Sequence, residues 1–297
     1  MYKSTRGQKL YTSSYAILNG IAKDGGLYTP NHLGSFSLCE SDQNLDYKAL
    51  AQKVFSFFLD DFTEEEINKV LKDCYQEEAF KPGVVGLKKL DNFHLLSLYH
   101  GPTFAFKDMA LSVISPLFNM AKKKQDNDKR NIILTATSGD TGSATLSGFN
   151  KDAKTNVIVL YPNDMVSKFQ ESQMHYFSSH KNHVIAIDGN FDDCQNIVKQ
   201  AFSEIKLDHV VLSSANSINI ARIIPQVVYY FYSYLQLVKS KEIEFGELIN
   251  FSVPTGNFGN ILAGYFAKSL GCPIQKLIVA SNQNDVLTDF FNTGVYD

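Results

Sequence analysis

Cysteine is scarce in this 297-residue sequence, and the four that it has are widely separated: Cys39, Cys74, Cys194 and Cys272. None of them forms a short-spaced metal-binding pair, and four are too few for a disulfide framework in a chain of this length. The seven histidines form no H-E-x-x-H motif and no cluster with cysteine. We therefore predict a cytoplasmic protein with reduced thiols and no metal site.

The sequence also lacks an excess of basic residues and a long apolar run. It has 28 Lys and Arg against 31 Asp and Glu, a net charge of -3, so nucleic acid is not an expected partner. The most apolar stretch, residues 223–238, contains Pro225 and two glutamines, which makes it too polar and too short to cross a membrane. It predicts a buried helix instead. The first twenty residues lack the apolar core of a signal peptide.

What remains is an ordinary globular composition, with 44% hydrophobic and 20% charged residues. Apolar residues recur at helical spacing over residues 46–60, and residues 63–66 form a capping box for a second helix. A Pro-Gly break at residues 82–83 ends this pattern. We predict a mainly helical N-terminal region over residues 1–85 and an α/β region over residues 86–297.

The α/β region contains seven short β-rich runs that alternate with helical patterns. Most of them are continuously apolar, which is typical of parallel strands buried on both faces. This predicts a doubly wound α/β fold with mostly parallel sheets. In such sheets ligands bind at the carboxyl ends of the strands. The runs begin at Phe93, Asn131, Asn156, His183, His209, Leu248 and Lys276.

The first informative turn places Lys107 between Phe106 and a predicted helix, with Phe104 close by. Apolar neighbours and the positive end of a helix dipole both favour a neutral amine, so Lys107 is a candidate Schiff-base lysine. The alternative is an ordinary lysine whose ammonium reaches solvent at the start of a helix.

Two further turns have the composition of anion sites. Residues 135–144 combine five hydroxyl side chains and two glycines at the start of a helix, which suits a carboxylate or a phosphate. Residues 254–260 provide two glycines at a helix start, without a Walker A or G-x-G-x-x-G pattern. An ordinary capped glycine turn is the alternative for residues 135–144. Together with Lys107, the two turns suggest a cofactor with one aldehyde and one phosphate, namely pyridoxal phosphate.

A fourth segment follows another predicted strand and opens a helix. Its side chains Asn216, Ser217 and Arg222 suit a second phosphate, that of a substrate. A helix cap followed by a surface arginine is the alternative.

Four motifs in this order resemble threonine synthase, a fold-type II pyridoxal-phosphate enzyme: HGPTFAFKD (100–108), TATSGDTGSA (135–144), NSINIARIIPQ (216–226) and VPTGNFGN (253–260). The resemblance also takes in STRG, DGGLYTP, VSKFQESQM, FDDCQ and NQNDVLTDFFNTG, and so covers nearly the whole chain. It implies the tryptophan synthase β-like architecture, with a smaller subdomain at roughly residues 109–215 inserted in the larger one. Members of the family continue beyond the position of Asp297, so the resemblance implies that the family's C-terminal part is absent.

The resemblance also implies roles for individual residues. Lys107 would be the catalytic lysine that carries the cofactor, and Asp140 would lie near the cofactor's 3'-oxygen. The cofactor phosphate would be bound by Gly256, Asn257, Phe258, Gly259 and Asn260. The substrate carboxylate would be bound by Thr137, Ser138, Gly139 and Thr141, and the substrate phosphate by Asn216, Ser217 and Arg222.

The implied reaction converts O-phospho-L-homoserine and water to L-threonine and phosphate, with Lys107 moving protons at the α and β carbons. One alternative is a phospholyase that releases 2-oxobutyrate from the same substrate. Another is a non-catalytic, truncated remnant that still binds pyridoxal phosphate. A monomer or a homodimer is expected, with a small-molecule substrate and neither nucleic acid nor membrane as a partner.

Overall fold

The computed structural model describes residues 1–205, 207–283 and 285–295. The strands are β1 (Tyr2–Ser4), β2 (Leu10–Tyr11), β3 (Tyr28–Pro30), β4 (Gly86–Leu90), β5 (Phe93–Ser97), β6 (Arg130–Ala136), β7 (Thr155–Pro162), β8 (Asn182–Ile187), β9 (Val210–Ser213), β10 (Ile249–Pro254) and β11 (Ile274–Ala280). The helices are α1 (Ser13–Asn19), α2 (Tyr47–Phe58), α3 (Glu64–Cys74), α4 (Asp108–Lys124), α5 (Asp140–Phe149), α6 (Lys168–Tyr176), α7 (Phe191–Glu204), α8 (Ile220–Lys239), α9 (Gly259–Ser269) and α10 (Val286–Thr293), with a 3-10 helix at Glu40–Asn44.

The N-terminal region is helical, but it also contains a small antiparallel sheet of order β2-β1-β3. Both predicted helices are present: the Asp46 carboxylate caps α2, and Thr63 and Glu66 form the capping box of α3. The sequence did not predict this sheet, because its strands have only two or three residues, too few to show an alternating pattern.

Strands β8-β7-β6-β9 form a four-stranded sheet in which all neighbours are parallel. Its two central strands carry apolar side chains on both faces. Ile133 of β6 packs in the main hydrophobic core, whereas the adjacent Leu134 packs with Cys194 and Val198 of α7 on the other side. The doubly wound α/β class predicted from the continuous apolar runs is confirmed.

The remaining strands form two smaller sheets, and here the prediction of burial on both faces was wrong. β10 and β11 are a parallel pair, and β4 and β5 form an antiparallel hairpin. Residues along these strands alternate between partly buried and exposed positions. Phe93 and Leu248 are both more than half exposed. A two-stranded sheet packed on one side leaves its other face open, and an alternating pattern follows.

Helix α8 is the apolar helix predicted at residues 223–238, and nearly all of its residues are buried. It packs against helices α2, α4 and α9, and so joins the N-terminal region to the α/β region. Within the described residues, no helix is both long enough and apolar enough to cross a membrane.

Candidate active site

The turn before α4 folds around the buried carboxylate of Asp108. Asp108 Oδ2 accepts a hydrogen bond from the Thr103 amide at 2.8 Å, and Oδ1 accepts one from Thr103 Oγ1 at 2.7 Å. Gly101 lies against the same side chain, where a β-carbon would overlap Asp108. Burial raises the pKa of Asp108, while the bonds from Thr103 act in the opposite direction. These contacts fix the turn that presents the neighbouring Lys107.

Lys107 is the N-cap residue of α4, and its side chain is only 12% exposed. Its Nζ lies 2.5 Å from Asp140 Oδ2 and 4.6 Å from the centre of the Phe106 ring. Burial lowers the pKa of Lys107, and the Asp140 carboxylate opposes that effect. The amine is therefore enclosed, and it has a single carboxylate partner among the described ion pairs.

The turn between β6 and α5 is built around one hydroxyl. Thr137 Oγ1 accepts hydrogen bonds from the amides of Gly139 and Gly142, both at 2.9 Å. Gly139 has a φ of +140°, a conformation that favours glycine, and it lies against the side-chain amide of Gln170 in α6. The first-turn amides of Asp140 and Thr141 have no acceptor further back in the helix, which is the geometry of an anion site.

The turn between β10 and α9 is open to solvent at Gly256 and Asn257. Phe258 caps α9 with a left-handed backbone, at a φ of 59°. The side-chain amide of Asn260 donates to the Pro254 carbonyl at 2.9 Å and so closes the turn. A β-carbon at Gly256 would meet no atom within 4 Å, so there is room for a ligand beside the backbone.

The segment after β9 connects the two anion turns. Asn216 Nδ2 donates to the Ala136 carbonyl at 3.0 Å, at the end of β6. Ser217 lies against Gly259, with its Oγ 2.9 Å from where a β-carbon would stand. No described hydrogen bond joins residues 256–258 to Lys107. A cavity of about 970 Å³ lies nearby, and its lining includes Phe106 and Asn260 but neither Lys107 nor residues 256–258.

Arg222 is the most unusual side chain of this region, because its guanidinium is buried at 1% exposure. Its Nη1 donates to the Ala215 carbonyl, and its Nε has no acceptor among the described residues. Burial lowers the pKa of Arg222 to about 10, and the Asp140 carboxylate opposes this. A buried cation with an unpaired donor fits an anionic ligand.

The sequence analysis missed four residues that support the site. Asp108 and Thr103 lie within the quoted lysine motif, but only the fold shows that they bond to each other. Gln173 of α6 donates to the Thr103 carbonyl at 3.2 Å, and Gln170 covers Gly139. The sequence signal was a pair of glutamines three residues apart, which lie on the same face of a helix.

The arrangement fits a ligand with one aldehyde and one phosphate. The enclosed Lys107 amine suits the aldehyde, and the open glycine turn at a helix start suits the phosphate. The buried Arg222 suits a further anion. Within residues 1–205, 207–283 and 285–295, no group of three or more His, Cys, Asp or Glu side chains is placed to hold a metal ion.

Comparison with known proteins gives two family matches. Residues 1–75 match the family "Threonine synthase N terminus", and residues 87–297 match the family "Pyridoxal-phosphate dependent enzyme".

The curated relatives include threonine synthases of Schizosaccharomyces pombe, 38% identical, and Pseudomonas aeruginosa, 41% identical, each aligned over 100% of this chain. The chain spans 59% and 63% of the lengths of these two proteins. The crystal structure of pyridoxal-phosphate-bound threonine synthase from Brucella melitensis superimposes with a TM-score of 0.87 at 38% identity. The superposition covers 100% of this chain and 63% of the Brucella melitensis chain.

Proposed function

The chain belongs to the threonine synthase family of pyridoxal-phosphate-dependent enzymes, and we propose that it converts O-phospho-L-homoserine and water to L-threonine and phosphate. The observation that carries the proposal is the enclosed Lys107 amine, which shares one site with the anion turn at residues 137–141 and with the buried Arg222. That combination suits a substrate with an amine, a carboxylate and a phosphate.

The cofactor would be held at two places. Lys107 Nζ would attach it covalently, and the residues Gly256 to Asn260 would bind its phosphate through backbone amides at the start of α9. The exposed Gly256 supports this assignment, because the backbone there can approach a phosphate closely. When bound, pyridoxal phosphate supplies an electron sink for negative charge that develops next to the α carbon of an amino acid.

The substrate would be held by its two anionic ends. Residues 137–141 would bind the carboxylate at the start of α5, where the helix dipole favours negative charge. Asn216, Ser217 and Arg222 would bind the phosphate. Because the Arg222 guanidinium is buried, its charge is weakly screened, so it would also stabilise the phosphate as it departs.

Lys107 Nζ would move the protons. As a neutral amine it would remove a proton from the α carbon, release that proton, and only then remove one from the β carbon; it would return protons as the product forms. Burial supports this role, since it lowers the pKa of Lys107 and makes the neutral form available nearer to neutral pH. Asp140 would pair with the amine in its protonated form, as it does in the ion pair.

The finer features of the protein follow the same family assignment. We propose a cytoplasmic monomer or homodimer that works on a small-molecule substrate. We also propose that residues 1–85 and 86–297 form the two regions of the chain, with a smaller subdomain at roughly residues 109–215.

Product analysis tests the proposal. The full chain, saturated with pyridoxal phosphate, is incubated with O-phospho-L-homoserine, and the products are identified by mass spectrometry. Threonine and phosphate are expected, and Lys107→Ala should form neither. Lys107→Arg is a second control, because it keeps a positive charge beside Asp140 but offers no nucleophilic amine. Formation of 2-oxobutyrate instead would identify a phospholyase. If cofactor binds at Lys107 but no product forms, the chain is a non-catalytic member of the family.

A further inference from the structure

The contact between Lys107 and Asp140 joins two separate elements. Lys107 stands at the start of α4 and Asp140 at the start of α5, 33 residues further along the chain. Nζ lies 2.5 Å from Oδ2, so the two groups form a charge-assisted hydrogen bond. The lysine side chain is 12% exposed and the aspartate 31%, so the carboxylate is the more exposed partner of the pair.

The other charged groups near Lys107 cannot replace Asp140. Arg222 reaches this region from α8, but it is a cation and lowers the pKa of Lys107 further. Asp108 is the next residue of α4, and its two oxygens accept hydrogen bonds from Thr103. Tyr229 of α8 is close to Arg222 and is neutral, because burial raises its pKa well above the ordinary value. Asp140 is therefore the carboxylate that balances the lysine charge.

We propose that Asp140 is the counter-ion of Lys107, and that it orients Nζ and keeps the amine protonated until the ion pair is opened. Only the neutral amine reacts with an aldehyde, so the pair sets the pH at which Lys107 becomes a nucleophile. The claim that the ion pair controls cofactor attachment rests on the proposed function. The claim that Asp140 balances the charge of Lys107 does not depend on it.

Two features make Asp140 suited to this role. Its carboxylate lies in the first turn of α5, where the helix dipole favours a negative charge. Its partial exposure gives the proton a route to solvent once the pair opens. Asp140 is thus a positioning residue that acts through Lys107.

The experiment measures the reactivity of individual lysines with a small aldehyde unrelated to the cofactor. The full chain is treated with formaldehyde and cyanoborohydride over a range of pH, and methylation of each lysine is quantified by peptide mass spectrometry. Asp140→Asn should shift the pH midpoint of Lys107 methylation at least about one unit towards acid, or about tenfold more neutral amine at a given pH. The exposed Lys88 is the internal reference and should not shift.

Two variants serve as comparisons. Asp192→Asn removes an exposed carboxylate from the first turn of α7 that has no described contact with Lys107 or Asp140, and it should leave the Lys107 midpoint unchanged. Asp140→Glu keeps the charge and should hold the Lys107 midpoint close to that of the unmodified chain. Circular dichroism on each variant shows whether the fold is kept.

An unchanged Lys107 midpoint in a folded Asp140→Asn chain would overturn the proposal. A parallel series with pyridoxal phosphate and borohydride separates this result from the proposed function. If the formaldehyde midpoint shifts but pyridoxal phosphate is never attached to Lys107, the counter-ion role holds and the proposed function fails. If Asp140→Asn shifts the pH midpoint of Lys107 modification by both formaldehyde and pyridoxal phosphate, Asp140 also sets the pH at which the cofactor attaches.

Discussion

Asn216 and Ala136 are joined by one hydrogen bond, in which the side-chain amide of Asn216 donates to the Ala136 carbonyl at 3.0 Å. The bond ties the loop before α8 to the last residue of β6, which leads directly into the turn at residues 137–141. Asn216 Oδ1 also accepts from Ser214 Oγ at 3.0 Å, so the amide is held on both sides. One side chain therefore sets the distance between the two proposed substrate-binding segments.

Replacing Asn216 tests this coupling. Asn216→Ala leaves the Ala136 carbonyl without its donor and should lower the free energy of unfolding by about 1–3 kcal/mol. Asn216→Asp should be more harmful, because a carboxylate oxygen would face the carbonyl oxygen. Urea denaturation of the two variants measures both changes. Equal stability of Asn216→Asp and the unmodified chain would show that the bond contributes little.

Gly139 offers a test of backbone strain at the same turn. Its φ of +140° and its contact with Gln170 both oppose a side chain, so Gly139→Ala should cost about 1–3 kcal/mol from the backbone alone, with the contact in addition. Gly246 has a φ of +93° and open space around it, so Gly246→Ala reports the backbone effect without the contact. Thermal unfolding should rank Gly139→Ala as the less stable variant. Adding Gln170→Ala should recover part of the difference.

Asp108 predicts a pH dependence of stability. Burial raises the pKa of this carboxyl, so the charged form lowers the free energy of unfolding at neutral pH. This loss of stability disappears as the pH falls through the raised pKa towards the ordinary value near 4. Asp108→Asn cannot titrate. The unmodified chain should therefore gain stability relative to Asp108→Asn over that acid window, while the difference stays constant above it. Denaturant titrations at a series of pH values measure the difference. A difference that does not change with pH would contradict the prediction.

Arg222 should reduce the stability of the chain when no anion is bound. Arg222→Met replaces a buried cation by an apolar side chain and should raise the free energy of unfolding by about 1–2 kcal/mol. Inorganic phosphate should stabilise the unmodified chain, because it binds the folded state, but not Arg222→Met. The exposed Arg130 supplies the control, since Arg130→Met should change stability by less than about 0.5 kcal/mol and keep the phosphate effect. Equal phosphate stabilisation of Arg222→Met would argue against Arg222 as an anion ligand.

The sequence predicted most of the sheet and helix arrangement, because long buried strands such as β6 and β7 show continuous apolar runs. It failed at β1 and β2, which are too short for a periodic signal, and at the exposed faces of β10 and β11. Burial there depends on how many strands join the sheet, and this is set by tertiary structure rather than by local sequence.

Motif composition indicates which turns could bind anions, so the candidate site could be proposed from the sequence as a set of turns. The contacts between these turns could not be predicted from the sequence. The bond from Asn216 to Ala136 joins residues 80 positions apart, and the burial of Arg222 depends on the packing of α8. The roles assigned to the site residues by resemblance remain predictions until the variants above are measured.

The main hydrophobic core includes residues from Tyr2 to Ile274, and many residues of α8 belong to it. Phe36 and Tyr47 from the N-terminal region pack on Phe231 and Tyr232 of this helix, while Arg222 stands at its first turn. The two family regions should therefore melt as one cooperative unit, with a single calorimetric transition rather than two. Phe36→Ala should therefore lower the melting temperature of the α/β region as well.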